Sequence, residues 1–213
     1  MSFESVISAI SSLIGGSRFL YTPRASWSSP YLFLGLNPAG TADDATDVSV
    51  EAGNAYLTER WGPDGTYNPL QEQVKAFFDG LDSRGLKADW CVSNLVFYRS
   101  PSWKTMEKQK GHIELCHRVW RERFAADAPR VIVTNGYSVY TEVQKLLAGI
   151  GYAVADETLA ATMWDGPHTC KMVKGAQTIT LVGFPHLSRF RVITRAKNAA
   201  AITAVYDKIA AAM

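Results

Sequence analysis

The chain has 213 residues, 47% of them hydrophobic, and a net charge of +2; that suffices for one core over 1–213 and is too apolar for disorder. No apolar run approaches the ~20 residues of a membrane span, and residues 1–19 lack the basic start of a secretory leader, which points to a cytoplasmic protein. Cys91, Cys116 and Cys170 are the only cysteines, too few for a four-cysteine iron–sulfur cluster and without a CxxC pair for zinc, so they are expected as buried free thiols.

In chain order, the first residues predict a short amphipathic helix packed on the domain. YLFLGL (31–36) is a continuous apolar run stopped by Asn-Pro, which suits a buried central strand. Residues 68–85 place Leu70, Val74, Phe77, Phe78 and Leu81 at helical spacing, with Asn68 as N-cap, Pro69 in the first turn and Gly85 as the stop. WCVSNLVFY (90–98) predicts a second strand, 112–126 an amphipathic helix, RVIVTNG (130–136) a third strand and 137–151 another helix. Strand-like segments follow around 163–173 and 177–183, then a loop over 184–194 and an alanine-rich helix to the end. Strands alternating with helices imply a three-layer α/β/α sandwich around a mainly parallel sheet. In such sheets ligands bind beyond the carboxyl ends of the strands.

Three segments sit at those ends: GLNPAG (35–40), SNLVFYRSP (93–101) and FPHLSRF (184–190). Taken singly, each is an ordinary turn or cap sequence. Together they combine two amides, a histidine and basic residues. The charge is uneven: 186–197 carries Arg189, Arg191, Arg195 and Lys197 with no acid among them, a local cationic face on a nearly neutral chain. Asp43, Asp44 and Asp47 do not follow a calcium-loop pattern and read as a solvated loop. Neither GxxxxGK[ST], GxGxxG nor GxSxG is present, which weighs against a hydrolase or transferase of free nucleotides.

In this order the three motifs resemble those of the uracil-DNA glycosylase superfamily, with an asparagine-type first motif similar to the mismatch-specific and single-strand-selective branches. The resemblance spans residues 31 to about 195. It implies a monofunctional DNA glycosylase of base excision repair, monomeric and needing no metal or other cofactor. The substrate would be DNA containing uracil or another damaged base, flipped out of the helix. On this resemblance Asn37 and His186 are catalytic, Asn37 holding the attacking water and a neutral His186 hydrogen-bonding the departing base. Gly35, Pro38, Asn94 and Tyr56 would bind the base, Asn94 reading its edge through one donor and one acceptor and Tyr56, or else Trp61, stacking on it. Leu187, Ser188, Arg189 and Arg191 would meet the DNA, Leu187, or else Arg189 or Phe190, filling the gap left by the flipped base and Ser188 binding a phosphate. The second motif departs from the family's His-Pro-Ser: here Pro185 precedes His186, and aligning the prolines would put Phe184 in the histidine's place. A non-catalytic DNA-binding module of the same fold is the competing expectation, because Asn37 carries no charge.

Overall fold

A computed structural model describes residues 3–11, 16–41, 43–44 and 47–213, without the side chains of 9–11. Positions 12–15, next to the expected N-terminal helix, and 42, 45 and 46 of the acidic segment lie outside the described residues. The helices are α1 (Phe3–Ser11), α2 (Ala55–Thr58), α3 (Pro69–Asp82), α4 (Trp103–Met106), α5 (Lys110–Ala126), α6 (Tyr137–Ala148) and α7 (Ala199–Ala210). The strands are β1 (Tyr31–Gly35), β2 (Cys91–Asn94), β3 (Val131–Asn135), β4 (Ala153–Thr158), β5 (His168–Lys174) and β6 (Gln177–Phe184). They form one sheet in the order β2-β1-β3-β6-β5-β4. The first four are parallel to their neighbours, and β5 and β4 extend the sheet antiparallel.

Alternation along the parallel strands builds two cores. Leu32, Leu34, Ile132 and Leu181 face α5 and α6, against Trp120, Phe124, Val143 and Leu147. Phe33, Val131, Val133 and Val182 face the other way, against Val74, Phe77 and Phe78 of α3 and Ile202, Val205 and Tyr206 of α7. Helices thus cover both faces, giving three α/β/α layers, and each large apolar side chain so buried contributes about 1.5–3 kcal/mol. No helix among the described residues is long and apolar enough to cross a membrane. All three cysteines are buried free thiols, and burial pushes the Cys116 thiol up to about 12.

Local signals explain the helix starts. Asn68 accepts from the Gln71 N–H while Gln71 reaches back to the Asn68 N–H, a reciprocal cap on α3 with Pro69 inside it. Gly136 turns β3 into α6 at φ 122°, a backbone angle that favours glycine.

Two expectations need correction. The strand expected around 163–173 begins only at His168, and residues 159–167 are a loop. Residues 153–158, which the sequence did not mark as a strand, form its edge strand β4. All six residues of β4 are exposed, so no buried face imposes an apolar alternation there.

The loop after β6 is pinned from α3. Buried Gln73 accepts the Ile193 N–H at 2.9 Å and donates to Thr194 Oγ1 at 2.8 Å. Replacing Gln73 with Ala leaves that buried amide unmatched. The variant should lose about 1–3 kcal/mol of stability, read in urea as a lower midpoint with an unchanged slope.

Candidate functional site

Chain order places β1 between β2 and β3, so the connections leaving β1 and β3 run to opposite faces and open a crevice at their carboxyl ends. Asn37, Asn94 and His186 lie at this end, just past or on the last residues of β1, β2 and β6. Strands β1 and β6 are separated only by β3, about 10 Å at ordinary strand spacing. The structure thus gathers the three principal residues at one end of the sheet.

Asn94 is the most constrained of them. It is 2% exposed, and its Nδ2 is a buried donor without a hydrogen-bond partner. Its strand end is anchored by the Trp120 indole, which donates to the Asn94 carbonyl at 3.3 Å and the Leu95 carbonyl at 3.2 Å. A Cβ at Gly35 would collide with Asn94 Oδ1. Gly35 therefore makes room for the amide. Tyr21 lies beside Asn94. Burial pushes its hydroxyl up, and the Asn94 amide and Arg18 oppose that rise.

Asn37 is half-buried. Its Nδ2 donates to the carbonyls of Pro38 at 2.9 Å and Ser100 at 3.4 Å. With the amide nitrogen so occupied, Oδ1 faces no donor among the described residues and can accept from water. The 36–40 and 95–101 turns are tied together: Leu95 and Val96 donate backbone N–H groups to Gly35 and Leu36, Ser100 to Pro38, and the Arg99 side chain to Ala39. Arg99 also meets Asp47 at 2.9 Å, so Asp47 is an ion-pair partner and not part of a purely solvated loop. Pro38 is buried within this knot, and Gly40 holds φ 106°.

His186 is half-buried beyond β6, and Ser188 Oγ lies 2.8 Å from its Nδ1. Burial, followed by the charge of Arg189, holds its pKa below the ordinary 6.5, so the ring is neutral at pH 7. A Ser188 hydroxyl donating to Nδ1 is the arrangement that places the ring proton on Nε2. Phe184 ends β6 in the core against Phe77, so the histidine of this segment at the site is His186.

Several expected roles are corrected. Leu187 is 1% exposed and packed in the core. Its N–H donates to Asn135 Oδ1 at 2.8 Å, which draws it inward, so it is no surface wedge. Tyr56 is 3% exposed, stacked on Tyr21 and edge-on to Phe33 and Trp61; it supports the site floor and offers no face to a base. Trp61 is half-buried beside it, with its indole on Glu59. Ser188 is exposed, with its hydroxyl within hydrogen-bond distance of the His186 ring. Arg189 is exposed, as is Arg191, which reaches Glu72 at 3.5 Å.

Residues that the sequence did not single out complete the site. Segment 16–21 runs beside β2, with Tyr21 and Arg18 donating backbone N–H groups to Val92 and Phe97. Buried Arg18 forms an ion pair with Glu59 and lies over the Tyr21 ring at 4.5 Å. Burial resists ionisation of Glu59, but its hydrogen bonds with Arg18 and Trp61 prevail and keep its pKa below normal. Asn135 supplied one clue: like β2, strand β3 ends in asparagine. Among the described residues no group of three or more His, Cys, Asp or Glu is placed to hold a metal ion. A separate groove of about 490 Å³, lined by Arg130, Lys171 and Lys208 among others, lies toward the opposite ends of β3 and β6 and contains none of the motif residues.

Two tests follow. The His186 ring resonance, assigned by its loss in His186→Gln, should titrate below pH 6.5 in NMR. A histidine depressed on folding contributes stability that is present above the unfolded value and lost as pH falls toward the folded one; a midpoint at or above 6.5 would contradict the burial argument. Gly35→Ala should force Asn94 from its place and remove the site's ligand affinity while the far-UV circular dichroism stays native.

Neither protein-family models nor curated protein sequences give a match to this chain.

Proposed function

We propose that the protein is a cytoplasmic, monofunctional DNA glycosylase that removes uracil or a related damaged base flipped out of DNA. The observation that carries this reading is the buried, unpartnered amide of Asn94 beside Asn37 and a neutral His186 at one end of the sheet. An orphan donor at 2% exposure is costly unless a ligand satisfies it. A pyrimidine edge presenting an acceptor beside an N–H matches one face of that amide.

In the reaction the bond between the base nitrogen and C1′ of the sugar breaks, and its electron pair leaves with the base. His186 Nε2–H hydrogen-bonds the base oxygen on which negative charge grows. That is electrostatic stabilisation of a leaving group, an effect of about 10²–10³ in rate for a well-placed donor. Asn37 Oδ1 accepts a hydrogen bond from water and orients it toward C1′. The water oxygen bonds to C1′, and its proton passes to the departing base or to solvent. The products are a free base and an abasic site. An amide is a poor base, so the enzyme depends more on the leaving group than a carboxylate enzyme would. Arg189 and Arg191 contact the phosphates.

The test is a uracil-containing oligonucleotide incubated with protein and then cleaved at abasic sites with alkali. Asn37→Ala and His186→Ala should each lower kcat by about 10² or more, and Asn94→Ala should lower kcat/KM at least about tenfold, with EDTA without effect. Retained DNA binding with no strand break across a panel of deaminated bases would assign the neutral Asn37 site to a non-catalytic binding module instead.

A further inference from the structure

The loop between β4 and β5 carries an aromatic side chain that the chemistry above does not use. Trp164 is 46% exposed, and Leu159 and Met163 of the same loop are also exposed. Its indole stands edge-on to Phe190 at 4.7 Å, and the Arg195 guanidinium lies 5.3 Å from its centre. Because β5 runs antiparallel to β6, this loop emerges at the same end of the sheet as His186. Phe190 belongs to the turn closed by its own N–H donating to the His186 carbonyl.

The loop is held in place. Tyr137 Oη donates to the Gly166 carbonyl at 2.7 Å, and the Ala160 N–H donates to His168 Nδ1 at 2.9 Å. The Tyr137 and His168 rings stack at 3.7 Å. Thr162 donates to Asp165, which also meets Lys197 at 3.4 Å. Trp164, Arg195 and Lys197 line an open groove of about 360 Å³. The surrounding charge is cationic. Lys197 is paired with Asp165 and Arg191 with Glu72, while Arg189 and Arg195 form no ion pair among the described residues.

We infer that Trp164, braced by Phe190 and Arg195, is a stacking platform for an unpaired base of a DNA strand whose phosphates follow the Arg189–Lys197 rim. An indole fixed by its neighbours accepts a base without ordering cost, and cations with no acid partner complement a polyanion. Every base has a π-face, so this contact favours single-stranded substrate without selecting its sequence. The inference rests on the nucleic-acid reading of this end of the molecule but not on base excision.

The experiment is fluorescence anisotropy of labelled, uracil-free oligothymidylate at low salt. Trp164→Ala should bind about five- to a hundredfold more weakly with an unchanged salt slope, and Trp164→Phe should recover to within about threefold of wild type. Arg195→Ala should flatten the salt slope. Thermal melts of the three variants, each altered at an exposed position, should match wild type. Wild-type affinity in Trp164→Ala, no rescue by Phe, or no binding of the oligonucleotide by the wild-type chain would overturn the platform. Uracil excision that survives with Trp164→Ala binding unchanged removes the platform alone. Trp164-dependent binding by a chain that excises nothing removes the glycosylase alone.

Discussion

The amide of Asn94 lies in the interior with its Nδ2 in no well-formed hydrogen bond and the Tyr21 hydroxyl as its neighbour, and the surrounding structure keeps it there. A buried unsatisfied donor costs about 1–3 kcal/mol, so an unconstrained side chain would turn to find a partner. Three contacts oppose that. The strand end is clamped by the Trp120 indole, the neighbouring strand offers a glycine where any side chain would intrude, and Tyr21 stands alongside with its hydroxyl kept protonated by burial. The sheet therefore holds a polar group in a state that a ligand edge would relieve. Such preorganisation is the usual mark of a recognition group and not of a packing residue.

The rest of the crevice is arranged to keep charge away from that amide or to neutralise it. Arg18 is committed to Glu59, and Arg99 to Asp47 and the Ala39 carbonyl. Arg99 binds the first two turns together and so helps fix Asn37 relative to Asn94, while the acids paired with the two arginines are spent as partners and are poor candidates for a base. Asn135 performs the equivalent task on the other side: by accepting the Leu187 N–H it folds the third turn inward and leaves His186 at the rim. Two amides thus do opposite work, one held idle for a ligand and one consumed in shaping a loop.

Much of this was legible in the sequence where burial imposes a pattern. The apolar runs at 31–36, 90–98 and 130–136 became strands buried on both faces between two helix layers, and the capped, periodic stretch from Asn68 had only one reading. Legibility failed where the pattern has no burial behind it. Strand β4 is bonded on one edge and exposed throughout, so hydrogen bonding to β5 creates it and no side-chain period announces it. Tyr56 has the size and position of a stacking residue in sequence, but its burial depends on Tyr21, brought in by a segment that pairs irregularly with β2. Leu187 was expected as a wedge only on the family resemblance of its segment. Its inward turn depends on an asparagine fifty-two positions earlier, a long-range contact invisible to local spacing.

His186 is where the electrostatics of the two faces meet. Its neutrality comes first from burial and then from Arg189, whose charge disfavours a second positive group. Under the proposed reading the same arginine meets a phosphate, and that contact would partly screen its charge from the ring. DNA binding would then move the histidine's pKa from its depressed value toward the ordinary one, with the ring still acting as a neutral hydrogen-bond donor to the base. A carboxylate at position 37 could drive the chemistry by its own charge. With asparagine there, the proposed reading puts more weight on the third turn, whose register is set by Asn135 and Gln73.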